Sequence, residues 1–331
     1  MLDSRAYTLS DDPDIWNCTK DPLPEPGHPH SGTFGVKTRR KQIETTKRLR
    51  VSANGSRYRH VILDDAVDSQ RMFNPAIPVI YAVTPTYARV EQKAELTRLS
   101  QTFLHLPNFH WILVEDSVNK TRLVTNFLRS SGLSFTHLHA LTPPRMKLKP
   151  TDVHSAKPRG VSQRNAGLSW IRNKLNPEIQ PGVVYFADDD NTYDLRIFAE
   201  MRMTKKVAVW PVGFTGKLKY GGPVVTNGKV TSWFTGLNFP RPFAIDMAGF
   251  AINLRLFFQY PGAKFTYNVP SGLQESTILG RLNITLSDFE PLADNGTKVL
   301  VWHTRTQPPQ LDAEATKKDE LLRGPYFSVE V

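Results

Sequence analysis

Three apolar runs that break off at polar residues constrain the fold of this chain more than any other feature. Ile77–Val83 ends at Thr84-Pro85-Thr86, Phe109–Val114 ends at Glu115-Asp116, and Val183–Ala187 ends at Asp188-Asp189-Asp190. Each reads as a buried strand. Between them lie helical patterns: one from about Ala88, with Leu96, Leu99, Phe103 and Leu106 at helical spacing, and one near residues 119–129. A short strand at Phe135–Leu138 and a helix marked by Val161, Leu168, Ile171 and Leu175 complete the series. Strands alternating with helices predict an α/β fold with a parallel sheet and crossover connections. Tyr87, Asp116 and Asp188–Asp190 then share the rim at the carboxyl ends of the strands, where ligands of such sheets collect.

The three aspartates repel one another unless a cation lies between them. Hard divalent ions such as Mg²⁺ and Mn²⁺ take oxygen ligands and keep positions open for phosphate oxygens. The pattern therefore points to a metal site that holds a nucleotide diphosphate. The alternative is an acidic loop with an Asp capping the next helix.

Other residues extend this chemistry. Arg159-Gly160-Val161-Ser162-Gln163-Arg164 opens a helix, where free N–H groups and two guanidinium groups attract an anion. His303 and Arg305 alternate after the apolar run Leu300-Val301-Trp302, so in extended chain they face the same way. Glu275 heads a helical run through Ile278, Leu279 and Leu282, where the helix dipole is expected to hold it ionised. Asp246 lies in the apolar stretch Phe243–Phe250, and a carboxylate there needs a partner or a function.

The chain has 331 residues, 40% of them hydrophobic, enough for a large core. Its net charge of +11 is concentrated between Lys37 and His60, where nine Lys and Arg face Glu44 alone. No aromatic stacking platform or nucleic-acid motif accompanies that run, so a nucleic-acid partner is not expected. A single cysteine, Cys18, excludes an intramolecular disulfide and a thiolate metal cluster. Asn-X-Ser/Thr sequons at Asn17, Asn54, Asn119, Asn283 and Asn295 fit a secretory-pathway lumen, although no apolar stretch approaches a membrane span. Residues 1–75, with Pro22, Pro24, Pro26 and Pro29 ahead of the basic run, read as a tail or stem. Residues 76–192 read as the nucleotide-binding part, and 193–331 as the part that binds an acceptor.

An ordered set of segments resembles the inverting β1,3-glucuronyltransferases: Thr84–Arg89, Val114–Asp116, Pro158–Val161 with Gln163–Asn165, Tyr185–Tyr193, Trp210–Gly213, Arg241–Phe243 with Asp246–Phe250, Gln274–Ser276 and Val301–Thr306. The resemblance runs from about Pro75 to Thr306. It implies a GT-A-like fold in which a Rossmann-like half binds UDP-glucuronate with Mn²⁺ and a second half binds a galactose-terminated acceptor. By that resemblance Tyr87 stacks on uracil, Asp116 bonds its edge, Asp188 and Asp189 hold the ribose and donor sugar, and Asp190 ligates the metal. Arg159, Arg164, His303 and Arg305 would face the glucuronate or the diphosphate. Glu275 would be the general base, with Arg241 and Asp246 beside the acceptor galactose. The resemblance further implies a homodimer in the Golgi lumen, anchored as a type II membrane protein. A glycan- or polyanion-binding protein without turnover on the same fold is the alternative.

Two positions depart from the family. Gly221 stands where related enzymes carry a glutamate that touches the acceptor, and Leu237 where an aromatic stacks on the acceptor's next sugar, with Phe239 two residues away. Both departures leave the acceptor's identity open.

Overall fold

The computed structural model describes residues 74, 76–149, 151–152, 157–237 and 239–312. Cys18, the basic run and the sequons at Asn17 and Asn54 lie outside them. The first half of the described chain forms β1 (Val79–Thr86), α1 (Gln92–Phe103), β2 (Phe109–Glu115), α2 (Arg122–Ser130), β3 (Phe135–His139), α3 (Val161–Lys174) and β4 (Gly182–Phe186). The second half forms β5 (Thr192–Tyr193), α4 (Leu195–Met201), β6 (Val207–Val209), β7 (Val212–Gly213), β8 (Tyr220–Thr226) and β9 (Lys229–Phe234). It continues through β10 (Phe250–Asn253), α5 (Leu254–Gln259), α6 (Gln274–Arg281), β11 (Phe289–Pro291), α7 (Ala293–Gly296) and β12 (Val301–Trp302).

Among the described residues the strands make two sheets. The larger has the order β11-β6-β10-β4-β1-β2-β3, and the smaller β5-β12-β7-β8-β9. β1 through β4 pair in parallel, as the alternation of strands and helices predicts. Alternate residues of each central strand serve opposite cores. Val183, Tyr185 and Ala187 pack with Leu96, Leu99 and Phe103 of α1, Phe127 of α2 and Phe198 of α4. Val184 and Phe186 pack with Leu168 and Ile171 of α3, Phe257 of α5 and Ile278 of α6. A strand buried on both faces reads as a continuous apolar run, which is why these strands were legible.

Three details differ from expectation. β1 starts at Val79 and runs past Val83 to Thr86, because its ladder with β2 persists to Thr86 opposite Glu115. α1 starts at Gln92 rather than Ala88. The intervening residues turn across the rim, and the Arg89 carbonyl accepts the Gln92 N–H at 3.1 Å. The stretch Phe243–Phe250 is not one apolar element. Asp246 caps a short 3-10 turn over Met247–Gly249, and the chain re-enters the large sheet as β10, antiparallel to both β4 and β6. The second half of the chain thereby completes the sheet that the first half begins.

Close helix–sheet approach depends on Gly167 of α3. A Cβ there would lie 2.6 Å from Cγ1 of the fully buried Val83 on β1. Overpacking of this kind costs about 1–3 kcal/mol, more than the gain of about 1 kcal/mol in helix propensity from alanine. Gly167→Ala is expected to lower the urea midpoint at unchanged m-value; a raised midpoint would show that α3 can shift away from β1.

Candidate active site

The acidic loop after β4 lies at the strand ends beside the loop after β1, and its three carboxylates have different surroundings. Asp189 is buried. It accepts a hydrogen bond from Thr86 Oγ1 at 2.7 Å and pairs with Arg89 at 2.9 Å. Gln92 in turn donates to Thr86 Oγ1 at 3.1 Å. Burial pushes the Asp189 carboxyl up, and the Arg89 guanidinium opposes that shift. Asp188 pairs with Arg164 at 2.5 Å. Asp190 has no hydrogen bond to its carboxylate among the described residues. Burial, with Asp188 and Asp189 beside it, raises its pKa to about 6. Guanidinium groups therefore supply two of the cations that the sequence demands, and one carboxylate is left over.

Among the described residues no three His, Cys, Asp or Glu side chains converge on one point. The donor set fits a hard divalent ion of the kind that takes one or two carboxylates and completes its shell with phosphate oxygens and water. Asp190, the carboxylate without a guanidinium partner, is the one that could hold such an ion.

Arg164 is shaped by its neighbourhood. It lies in the first turn of α3, after Gly160, whose φ is +70° and whose Cβ, if present, would fall 2.4 Å from the guanidinium. Its Nη1 donates to the Arg159 carbonyl at 2.9 Å, while its Nε is buried without a partner. Arg159 is partly desolvated, which lowers its pKa, with Asp188 and Asp190 opposing. A cationic face thus stands beside Asp190.

The other rim residues are where the topology predicts. Tyr87 follows β1 and is exposed, with the Arg89 guanidinium 4.6 Å above its ring. Asp116 follows β2 and receives the Thr142 N–H and hydroxyl, one on each carboxylate oxygen, both at 2.7 Å. The neighbouring Glu115 is buried and held by His137 Nε2 at 2.5 Å and the Thr121 N–H at 3.0 Å.

Residues from the second half close the site. Arg241, Asp246 and Glu275 line one cavity of about 130 Å³, together with Thr215, Phe234, Gly221 and Leu237. Both positions that depart from the family pattern are therefore on its wall. Asp246 accepts from the Ala248 N–H at 3.0 Å and from Thr215 Oγ1 at 2.9 Å. His303 Nδ1 is 3.7 Å from Asp246 Oδ2, an ion-pair distance without a hydrogen bond. The Asp246 carboxylate raises the His303 pKa to about 9, so the imidazole is a cation at neutral pH. Burial works to raise Asp246, and His303 with the two donors overcomes it, so its pKa is lowered. Arg241 donates to Thr235 Oγ1 at 2.7 Å and lies over the Phe239 ring. Arg305 stays exposed, beyond this cluster.

Glu275 corrects an expectation. The helix dipole was expected to keep it ionised, yet its Oε2 is buried without a partner and its pKa rises to about 7. Burial is the main cause and Asp246 adds to it, while Arg164 and Arg241 oppose. The α6 dipole is a first-turn effect of about 1 kcal/mol or less, too weak to offset desolvation. A carboxylate poised near 7 is a stronger base than an ordinary one.

Arg89, Thr86, Thr215 and Thr304 were given no individual roles by sequence reasoning. Arg89 had a signal, as a cation three residues past a strand end that shares a rim with acids. The threonines had none.

A mixed sheet whose parallel strands end at a cationic and acidic rim, beside a cavity that holds a carboxylate of raised pKa, fits a sugar-nucleotide transferase. Residues 99–307 match the model of glycosyltransferase family 43. The chain is 52% identical over 248 residues to galactosylgalactosylxylosylprotein 3-beta-glucuronosyltransferase 1 of Rattus norvegicus, covering 74% of each chain. To galactosylgalactosylxylosylprotein 3-beta-glucuronosyltransferase 2 of Canis lupus familiaris it is 51% identical over 242 residues, 72% of this chain and 71% of that one. Among solved structures, S. aureus TarS 1-349 superposes with a TM-score of 0.43 at 15% identity, over 68% of this chain and 60% of that one. The chain belongs to glycosyltransferase family 43 and is a glycosyltransferase.

Burial of Glu275 also sets a stability relation. Its folded pKa lies above the ordinary value, so folding favours the protonated form, and stability is lost as pH rises from about 4.5 through about 7. Glu275→Gln removes that penalty. It is expected to stabilise the protein by up to about 3 kcal/mol at pH 8 and by little at pH 5. Denaturant melts at the two pH values measure it, and equal effects at both would contradict a raised pKa.

Proposed function

We propose that the protein transfers glucuronate from UDP-glucuronate to the 3-hydroxyl of a terminal galactose, in one displacement with inversion. The carrying observation is Glu275, whose Oε2 is buried without a partner and which lines the same cavity as Arg241 and Asp246. In this reading residues 76–192 supply most of the donor site and the later residues the acceptor site. Tyr87 offers its exposed ring to uracil, and Asp116 its carboxylate to the base edge. Asp188 and Asp189 shape the floor beneath the ribose and donor sugar. Arg159, Arg164 and protonated His303 face the diphosphate and the glucuronate carboxylate, and charge-assisted bonds to a desolvated carboxylate discriminate against UDP-glucose. Arg305 belongs to the same set by resemblance.

Mn²⁺ bound through Asp190 would neutralise the charge that grows on the departing diphosphate. The chain's own residues do the rest. Asp246 and Arg241 orient the galactose, and Glu275 takes the proton of its 3-hydroxyl as that oxygen attacks the anomeric carbon. The bond to UDP breaks on the opposite face, which inverts the centre. A homodimer on the lumenal side of the Golgi fits the same reading. Among the described residues no helix is long and apolar enough to cross a membrane.

Three measurements test it. Glu275→Gln is expected to lower turnover by about 10²-fold or more with UDP binding intact, while wild-type kcat/KM rises with pH through about 7 as Glu275 loses its proton. Near-normal turnover in the variant would move the base to Asp246. Asp190→Ala is expected to abolish the Mn²⁺-dependent part of UDP affinity in calorimetry; unchanged affinity would remove the metal site.

A further inference from the structure

Helix α1 reaches the acidic loop through side chains that the reaction does not use. Arg98 Nη2 donates to the main-chain carbonyl of Asp190 at 2.7 Å and also pairs with Glu95 Oε2. Glu95 is buried, and its other oxygen accepts the Thr306 N–H at 3.1 Å. Thr304 Oγ1 donates to the same Asp190 carbonyl at 2.7 Å. One network thus joins the loop that carries Asp190 to the arm that carries His303. An exposed pair at i,i+3 on a helix contributes a few tenths of a kcal/mol. This one is different, because a buried carboxylate has to be matched by good partners, and its partners are a guanidinium and a main-chain N–H of the arm.

We propose that Glu95 and Arg98 are positioning residues that make the orientation of Asp190 and the seating of the 303–306 arm a single conformational choice. The Asp190 carbonyl fixes the backbone that aims the Asp190 carboxylate. The same carbonyl anchors Thr304, and Glu95 anchors Thr306, so an arm that leaves takes one donor from the loop and another from the carboxylate that holds Arg98. Binding of the sugar nucleotide between Asp190 and His303 then requires the seated arm. This inference rests on the donor-site reading above, in which those two residues face the donor.

Arg98→Met removes both contacts while keeping most of the side-chain volume. It is expected to weaken UDP binding in Mn²⁺ by about tenfold, the usual scale for losing an outer-shell partner, with little change without metal. The acceptor KM should hold, and the melting temperature should stay within about 2 °C of wild type, the shift that about 1 kcal/mol produces in a domain of this size. Trypsin cleavage after Arg305, followed by mass spectrometry on the metal-free protein, should accelerate several-fold. Glu95→Gln keeps an acceptor for Thr306 but loses the ion pair, so its cleavage rate should lie between the two. Wild-type UDP affinity and cleavage rate in Arg98→Met would overturn the proposal. So would parallel losses of melting temperature, UDP affinity and acceptor affinity, the mark of a merely structural contact. If UDP affinity of the wild type ignores Mn²⁺, the donor-site reading fails on its own, and the metal-free cleavage rates still decide whether the arm is latched.

Discussion

Charge balance at the end of β4 is the constraint on which the rim of the sheet depends. Three carboxylates in consecutive residues cannot sit at the edge of a buried sheet without counter-charge. The chain provides it from two directions, Arg89 after β1 and Arg164 in α3. Each guanidinium also fixes a piece of backbone. Arg89 holds its own loop against β4, and Arg164 ties the Arg159 carbonyl to Asp188. The repulsion that makes the motif conspicuous in sequence thus becomes what draws three segments of the rim together, and Asp190 is the charge that remains.

The second half of the site divides its two carboxylates by environment. Asp246 and Glu275 share a cavity, yet Asp246 is pulled down by His303, Thr215 and the Ala248 N–H, while Glu275 is pushed up to about 7 by burial. Paired carboxylates with opposed shifts commonly divide their roles in this way. The ionised one binds and orients, and the one near neutrality exchanges a proton. That separation favours Glu275 over Asp246 as the base, on grounds that do not depend on family resemblance.

The first half of the described chain was legible because its strands are buried on both faces and carry their polar residues at their ends. Val183–Ala187 announces a strand, and Asp188 announces where it stops. The second half was less so. Strands such as Val212–Gly213 and Val301–Trp302 are two residues long, too short for any periodicity. β10 is antiparallel in a sheet whose other strands suggested parallel pairing, since Asp246 reads as a buried acid and not as the cap that turns the chain. The rise in the Glu275 pKa was hidden as well, because burial of one oxygen is a tertiary fact and the helix dipole is the local one. Glu95 and Arg98 read as an ordinary helical pair, and nothing nearby in sequence signals Asp190 or Thr306.

The halves are joined at the Ala248 carbonyl. Tyr185 of β4 and Trp210 after β6 both donate to it at 2.9 Å, from positions with no exposure. The N–H of the same residue bonds Asp246, so a carboxylate of the cavity is anchored through one residue to the strand that leads into the three aspartates. Two buried aromatic donors on one carbonyl leave it little freedom, because breaking either bond would strand a polar group in the core. The distance between the acidic rim and the cavity is therefore set by the core of the large sheet. In a displacement that needs the attacking oxygen in line with the bond that breaks, that rigidity limits the misplacement that would cost rate.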